Sequence, residues 1–309
     1  MKKLIKIQPV NTNNLRIDYI MTTQCPYSCR YCTPTLYAGK HKKINAETIS
    51  LFLDKFKDRK VIMNLTGGEC TTHPQFEEII KMLYDKKINT IVDTNGIRTK
   101  RWWKEYAHMV ANWCISLHPS QLEELDIEKI KIAAEASFVV VYVLMDPLYL
   151  DKALDWYDQL SKVENIRLNA FRVLGVDYTE EQEEILKSME GKWNFTPERQ
   201  AELEKTHSWM MDMGSMGKYD DGTESLIDFA EILRNDQHNF KGWLCKAGNE
   251  SIGIYDDGTA MWARCRVRKY DNFMDLDPEE LKIPMICPLD RCNCGTDIRM
   301  SKQSPDYIE

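Results

Sequence analysis

From Leu15 to about Arg172, short apolar runs alternate with longer segments of mixed apolar and polar residues. Residues 15–21, 61–65, 90–93, 114–117, 138–144 and 166–171 read as strands. Residues 46–58, 74–86, 100–110, 122–136 and 148–162 read as the helices between them. Asn45 is placed to cap the first helix, with Glu47 in its opening turn. His73-Pro74 and Asp146-Pro147 mark the entry to two others. Regular alternation with nearly continuous apolar strands predicts an α/β fold, a parallel sheet covered by helices. Six strands suit a partial TIM-like barrel better than a closed eight-stranded one. In either architecture the chemistry belongs at the carboxyl ends of the strands.

The pattern changes after Gly175. Residues 179–190 and 197–212 read as helices, the second opened by Thr196-Pro197-Glu198. The stretch is rich in Asp and Glu, and it carries Met210, Met211, Met213 and Met216. These methionines fit an adaptable lid or partner surface, or ordinary helix packing followed by a loop. Residues 251–255 and 260–264 read as paired strands around Asp256-Asp257-Gly258-Thr259. Residues 301–309 are polar and read as a frayed end. The expected organisation is a core at 1–174, a helical acidic linker or lid at 175–242, and a small hairpin-based module at 243–309.

Composition adds a compartment. Hydrophobic content of 43% and charged content of 29% over 309 residues are globular values. No apolar run approaches the ~20 residues of a membrane helix. The charged start, Met1-Lys2-Lys3-Leu4-Ile5-Lys6-Ile7, has no long apolar core or cleavage site of a signal peptide. The expectation is a cytoplasmic protein with no membrane partner. Ten cysteines there need a reason other than disulfides. Three lie at 25–32 and five at 245–294, which points to two metal sites. Cys70 and Cys114 stand alone and read as small buried residues. A net charge of −7 argues against a protein that coats nucleic acid.

The first group, Cys25-Pro26-Tyr27-Ser28-Cys29-Arg30-Tyr31-Cys32, follows the first strand. Its spacing lets three thiolates converge on one metal centre, one ligand short of a closed zinc or iron–sulfur site. Taken alone it also fits zinc, with His41 as fourth ligand. Thr66-Gly67-Gly68-Glu69 ends the second strand. Paired glycines admit a ligand close to the backbone, and free N–H groups with a carboxylate suit an amino-acid head group. A plain glycine turn is the alternative. Asp93-Thr94-Asn95-Gly96 ends the third strand.

Together these motifs resemble the radical S-adenosylmethionine (radical SAM) enzymes over roughly residues 15–172. The resemblance implies a partial (β/α)6 barrel. It implies a [4Fe–4S] cluster on Cys25, Cys29 and Cys32, whose fourth iron binds the amino and carboxylate groups of S-adenosylmethionine. By the same resemblance Gly67, Gly68 and Glu69 contact the methionine amino group, and Tyr31 lies by the adenine. Thr94 and Asn95 lie near the ribose, and Ser116 serves the ribose or the carboxylate. Arg172 is expected to reach the carboxylate, and Val143 or Met145 to contact the adenine. The implied chemistry needs a low-potential electron donor of flavodoxin or ferredoxin type. One electron reaches the sulfonium, the C5′–S bond breaks, and a 5′-deoxyadenosyl radical takes a hydrogen from an unactivated C–H bond. His118, at a strand end, is a candidate proton donor or acceptor, or a structural histidine.

Cys245, Gly258 and Cys265, followed by Cys287, Cys292 and Cys294, resemble the SPASM/twitch extensions of the same superfamily. That resemblance implies one auxiliary [4Fe–4S] cluster, with Cys245 and Cys265 among its ligands and the other two open. A zinc knuckle is the alternative. The substrate stays open among a small molecule, a nucleotide and a peptide side chain. Lys100-Arg101-Trp102-Trp103-Lys104, and Arg264, Arg266, Arg268 and Lys269 around Cys265, suit an anionic or nucleic-acid substrate. A buried Trp pair beside a solvated charged face is the bland alternative. Base modification within nucleic acid, and a non-enzymatic zinc or iron–sulfur protein, are the competing readings.

Overall fold

The computed structural model describes residues 2–32, 44–173, 175–189, 191–207 and 214–307. His41, Met210, Met211 and Met213 lie outside the described residues. The strands in chain order are β1 (Leu4–Pro9), β2 (Asn14–Thr22), β3 (Lys60–Gly67), β4 (Asn89–Thr94), β5 (Asn112–Leu117), β6 (Phe138–Leu144), β7 (Ile166–Phe171) and β8 (Lys192–Asn194). They continue as β9 (Ser215–Tyr219), β10 (Glu224–Leu226), β11 (Leu244–Cys245), β12 (Ser251–Ile254), β13 (Ala260–Trp262), β14 (Lys269–Tyr270), β15 (Met285–Ile286) and β16 (Lys302–Gln303). The larger helices are α1 (Ala46–Asp54), α2 (Phe76–Asp85), α3 (Lys100–Tyr106), α4 (Ile127–Ala136), α5 (Leu150–Leu160), α6 (Glu180–Ser188) and α7 (Pro197–Thr206).

Contacts divide the chain into two units: one holds residues 20–46 and 64–206, the other 1–19, 47–63 and 207–309. The strands β2 and β3 each begin in one unit and finish in the other.

In the unit of residues 20–46 and 64–206, the strand order is β2-β3-β4-β5-β6-β7-β8. Pairing from β4 through β7 is parallel, and β8 closes the edge antiparallel to β7. The six expected strands fall on β2 to β7, and the fold is an α/β partial barrel. The helices form where apolar positions repeat. In α2, Phe76, Ile79, Ile80 and Leu83 make one buried stripe, and Glu77 and Glu78 favour its amino end. Alternation on β5 buries Trp113, Ile115 and Leu117 on one face. Trp113 meets Trp103 of α3 edge-on, with ring centroids 4.7 Å apart. Trp102 and Trp103 are core residues, and Lys100 pairs with Asp126 at 3.2 Å. No exposed stacking platform is left in the basic stretch 100–104.

The other unit contains a sheet of order β10-β9-β1-β16-β11-β15. A second arrangement runs β14-β13-β12-β2-β3, with β12 parallel to β2 through Ser251↔Arg16 to Ile254↔Tyr19. The hairpin β12–β13 forms as expected, with Gly258 at φ +83 in its turn. The charged start of the chain forms strand β1. One expectation needs correction. The end is not frayed through its length: β16 lies between β1 and β11, and Lys302 is 3% exposed. Among the described residues, no helix is long and apolar enough to cross a membrane.

Candidate active site

The strand β2 ends at Thr22, and the chain turns through Thr23 and Gln24 into Cys25. The end of β3 lies against this turn. Gly68 N donates to Thr22 O and Glu69 N to Gln24 O, both at 2.8 Å. The N–H groups of Gly68 and Glu69 are therefore engaged, against the expectation that they are free for a head group. Two glycines are needed for this closeness. A Cβ on Gly68 would stand 2.6 Å from the Gln24 carbonyl carbon, and one on Gly67 would stand 3.2 Å from Thr22 N. Gly67 also has φ +142, which L side chains rarely adopt.

Glu69 is fully buried and joins two strand ends. Its Oε1 accepts from Thr71 N at 3.1 Å, Thr71 Oγ1 at 2.6 Å and Thr94 Oγ1 at 2.7 Å. Its Oε2 accepts from Asn95 N at 2.6 Å. Burial pushes its carboxyl up, and these donors oppose the shift. Thr94 Oγ1 also accepts from Gly96 N at 3.1 Å, so its hydroxyl serves the brace. Asn95 Nδ2 points toward Cys25 Sγ at 3.8 Å.

The cysteine loop is held by the strand ends that follow. Ser28 N donates to Gln121 Oε1 at 3.0 Å. Arg30 donates to both oxygens of buried Asp146, at 3.2 and 2.5 Å. His118 Nδ1 lies 3.3 Å from Cys29 Sγ and 2.9 Å from Tyr31 OH. Tyr31 stacks on His118 with ring centroids 6.1 Å apart, and Tyr27 meets it edge-on at 5.6 Å. Burial lowers the His118 pKa to about 4, so the imidazole is neutral and holds the loop. Sequence reading missed Arg30, Gln121 and Asp146 as partners of this loop. Asp146 stands before Pro147, a signal of helix entry that says nothing of Arg30.

Ser116 of β5 is in register with Tyr142 of β6, which is in register with Asn169 of β7. These positions share one face of the sheet and are half-buried. Val143 and Met145 are fully buried. Arg172 is turned to Glu183, with one bond at 2.7 Å, and its guanidinium lies 4.8 Å from the Tyr178 ring centroid. Cys70 is buried with Sγ 3.2 Å from Asp93 O, as a small core residue should be; Cys114 is half-buried.

The donor set fits an iron–sulfur cluster. All ten cysteines are free thiols. Burial raises the Cys25 and Cys29 thiols, and Cys32 adds to both shifts. A cationic metal core would offset both effects on binding. Among the described residues, no three His, Cys, Asp or Glu side chains group around a single metal ion. A four-iron cluster distributes its thiolates over separate irons and does not require that grouping.

Residues 19–120 match the family model described as the radical SAM superfamily. GTP 3',8-cyclase of Campylobacter curvus is 28% identical over 130 residues, 39% of this chain and 39% of that protein. GTP 3',8-cyclase of Photorhabdus laumondii is 34% identical over 114 residues, 34% of this chain and 35% of that protein. The chain thus spans well under half the length of these curated relatives. Streptococcus suis SuiB bound to precursor peptide SuiA superposes with a TM-score of 0.55 at 14% identity, over 87% of this chain and 65% of that one. Another SuiB structure gives 0.53 at 15% identity, over 87% and 66%. At such identity the likeness is one of fold. The superfamily match supports an enzyme and leaves its specific reaction open.

Proposed function

We propose that this chain is a radical SAM enzyme that cleaves S-adenosylmethionine reductively and takes a hydrogen from an unactivated C–H position of a polar substrate. The observation that carries the reading is the Cys25–Cys32 loop, fixed by Gly68, Gln121, Arg30–Asp146 and His118. When bound, the cluster and S-adenosylmethionine supply low-potential one-electron chemistry and hydrogen abstraction. Cys25, Cys29 and Cys32 would hold the cluster, and His118 orients Cys29. Gly67 and Gly68 would flank the methionine end and Asn95 the ribose, with Tyr31 toward the adenine. Glu69 and Thr94 act through the backbone they brace. Ser116, Tyr142 and Asn169 give the sheet a polar row, which supports a substrate with hydrogen-bonding groups.

A small molecule, a nucleotide or a peptide side chain fits that chemistry. The relatives named GTP 3',8-cyclase favour the nucleotide. Four of Cys245, Cys265, Cys287, Cys292 and Cys294 would hold an auxiliary [4Fe–4S] cluster, and a flavodoxin- or ferredoxin-type protein would deliver electrons. Burial of Trp102 and Trp103 removes the support for a nucleic-acid stacking surface.

Iron and acid-labile sulfide counts after anaerobic reconstitution test the proposal. About eight irons per chain are expected, and about four when Cys25, Cys29 and Cys32 are all replaced by Ser. Stoichiometric zinc with no iron–sulfur absorbance would overturn it.

A further inference from the structure

We infer that the cavity at the amino end of β2 is a binding site for an acidic amino acid, held by Arg16, Ser251, Arg299 and Glu250. Its lining lies wholly in the unit of residues 1–19, 47–63 and 207–309, and the inference does not use the cluster readings above.

Arg16 of β2 and Ser251 of β12 are partners in a parallel pair, so both side chains rise from one face of the sheet. Asp18, two residues on, shares that face and is fully buried. Its Oδ1 accepts from Arg16 Nε and its Oδ2 from Arg264 Nε, both at 3.0 Å. Asp18 thus pins the Arg16 guanidinium through one N–H. Among the described residues the two η nitrogens of Arg16 make no hydrogen bond, and a guanidinium has four N–H groups there. Ser251 is 1% exposed, and its hydroxyl has no partner among the described residues. Leaving a buried hydroxyl unpaired is costly, and this one belongs to the lining of a cavity beside unspent guanidinium donors.

The cavity holds about 610 Å³, open solvent included, a size that suits a small molecule. Its charged lining is Arg16, Arg299 and Glu250. The Arg299 carbonyl accepts from Ser215 Oγ at 2.5 Å, and its guanidinium lies 5.0 Å from the Phe229 ring centroid. Glu250 is 8% exposed. Its Oε2 accepts from Ser301 N at 2.7 Å and its Oε1 from Ser301 Oγ at 2.5 Å, so each oxygen can accept again. Asp297, beyond the lining, accepts from Arg264 N at 3.2 Å. Two guanidinia against one carboxylate leave the lining with a net charge of +1. An amino acid with an acidic side chain is the complement: two carboxylates for the guanidinia and Ser251, and one ammonium for Glu250. A phosphate group brings no cation to Glu250, and a plain dicarboxylate only sets further negative charge against it.

The test is isothermal titration calorimetry on the full chain with Cys25, Cys29 and Cys32 replaced by Ser, so that no amino acid binds at the first cysteine group. L-glutamate and L-aspartate are the probes. Glutarate, which lacks the ammonium, and inorganic phosphate are the comparisons. One of the two amino acids is expected to bind one to one, at least about tenfold more tightly than glutarate or phosphate. S251A removes a hydroxyl that bonds nothing in the protein, so it is expected to keep the melting temperature and weaken binding about tenfold. R16Q is expected to weaken binding about a hundredfold, and R16K, which keeps the charge without the fork, about tenfold. E250Q is expected to bring the amino acid down to the affinity of glutarate. The same titrations in the parent chain serve where the Ser background does not fold. No binding of either amino acid at about 10 mM, phosphate or glutarate bound as tightly, or an affinity that ignores S251A and E250Q overturns the inference. Displacement of the amino acid by S-adenosylmethionine in the parent chain overturns it too, and leaves the radical SAM reading standing.

Discussion

Gly68→Ala is the sharpest single perturbation of the site. The added Cβ would stand 2.6 Å from the Gln24 carbonyl carbon and 3.0 Å from Thr23 O. Ordinary carbon contacts lie near 3.5 Å, so the two segments must part by about 0.9 Å. Neither partner is a side chain that can rotate away. Parting them strains the bonds Gly68 N to Thr22 O and Glu69 N to Gln24 O. Two such bonds at about 1 kcal/mol each, plus overpacking of about 1–3 kcal/mol, give a cost of about 3–5 kcal/mol. The strain falls on the turn that carries Cys25, and a 1 Å error at a reacting centre costs about 10²-fold in rate. The assay is thermal denaturation together with iron content and S-adenosylmethionine cleavage after reconstitution. G68A is expected to melt several degrees lower and to cleave about a hundredfold more slowly. Parental melting, iron content and cleavage would refute the close-approach reasoning.

Glu69→Gln turns an acceptor for Asn95 N into an amide donor or withdraws it from Thr71 and Thr94; a loss of about 1–3 kcal/mol follows, seen as a lower Tm, and an unchanged Tm would refute the brace. Arg30→Ala releases the cysteine loop from Asp146 and leaves that buried carboxylate without its cation, so it should shed iron several-fold faster to a chelator and lower the Tm; equal rates would show that the pair does not hold the loop. Trp103→Ala empties a site 1% exposed and should cost about 3–5 kcal/mol in denaturant unfolding; a cost below about 1 kcal/mol would contradict its place in the core.

The parallel core was legible because its strands are continuous apolar runs and its helices carry buried stripes, as Val139, Val141 and Val143 on β6 and Ile79, Ile80 and Leu83 on α2 illustrate. The sheet containing β1 was not. Its strands run from two to six residues, and β16 joins β1 across almost the whole chain. No local period marks a two-residue strand, and Lys302 looks like a solvated tail until its partners are known. The same limit holds within the site. The cysteines and glycines announce themselves by spacing, whereas Arg30 meets Asp146 across 116 positions and Cys29 meets His118 across 89. Free N–H groups were expected at Gly68 and Glu69 because glycine pairs admit ligands; here the pair admits another turn of backbone.

The most direct measurement is 5′-deoxyadenosine and methionine production from S-adenosylmethionine by the anaerobically reconstituted chain with dithionite, compared with C29S. Cys29 is buried beside His118 and, on this reading, holds one corner of the cluster. The parent chain is expected to form both products in equal amounts, and C29S neither. Equal production by both proteins, or none from an iron-loaded parent, would contradict a radical SAM site at Cys25, Cys29 and Cys32.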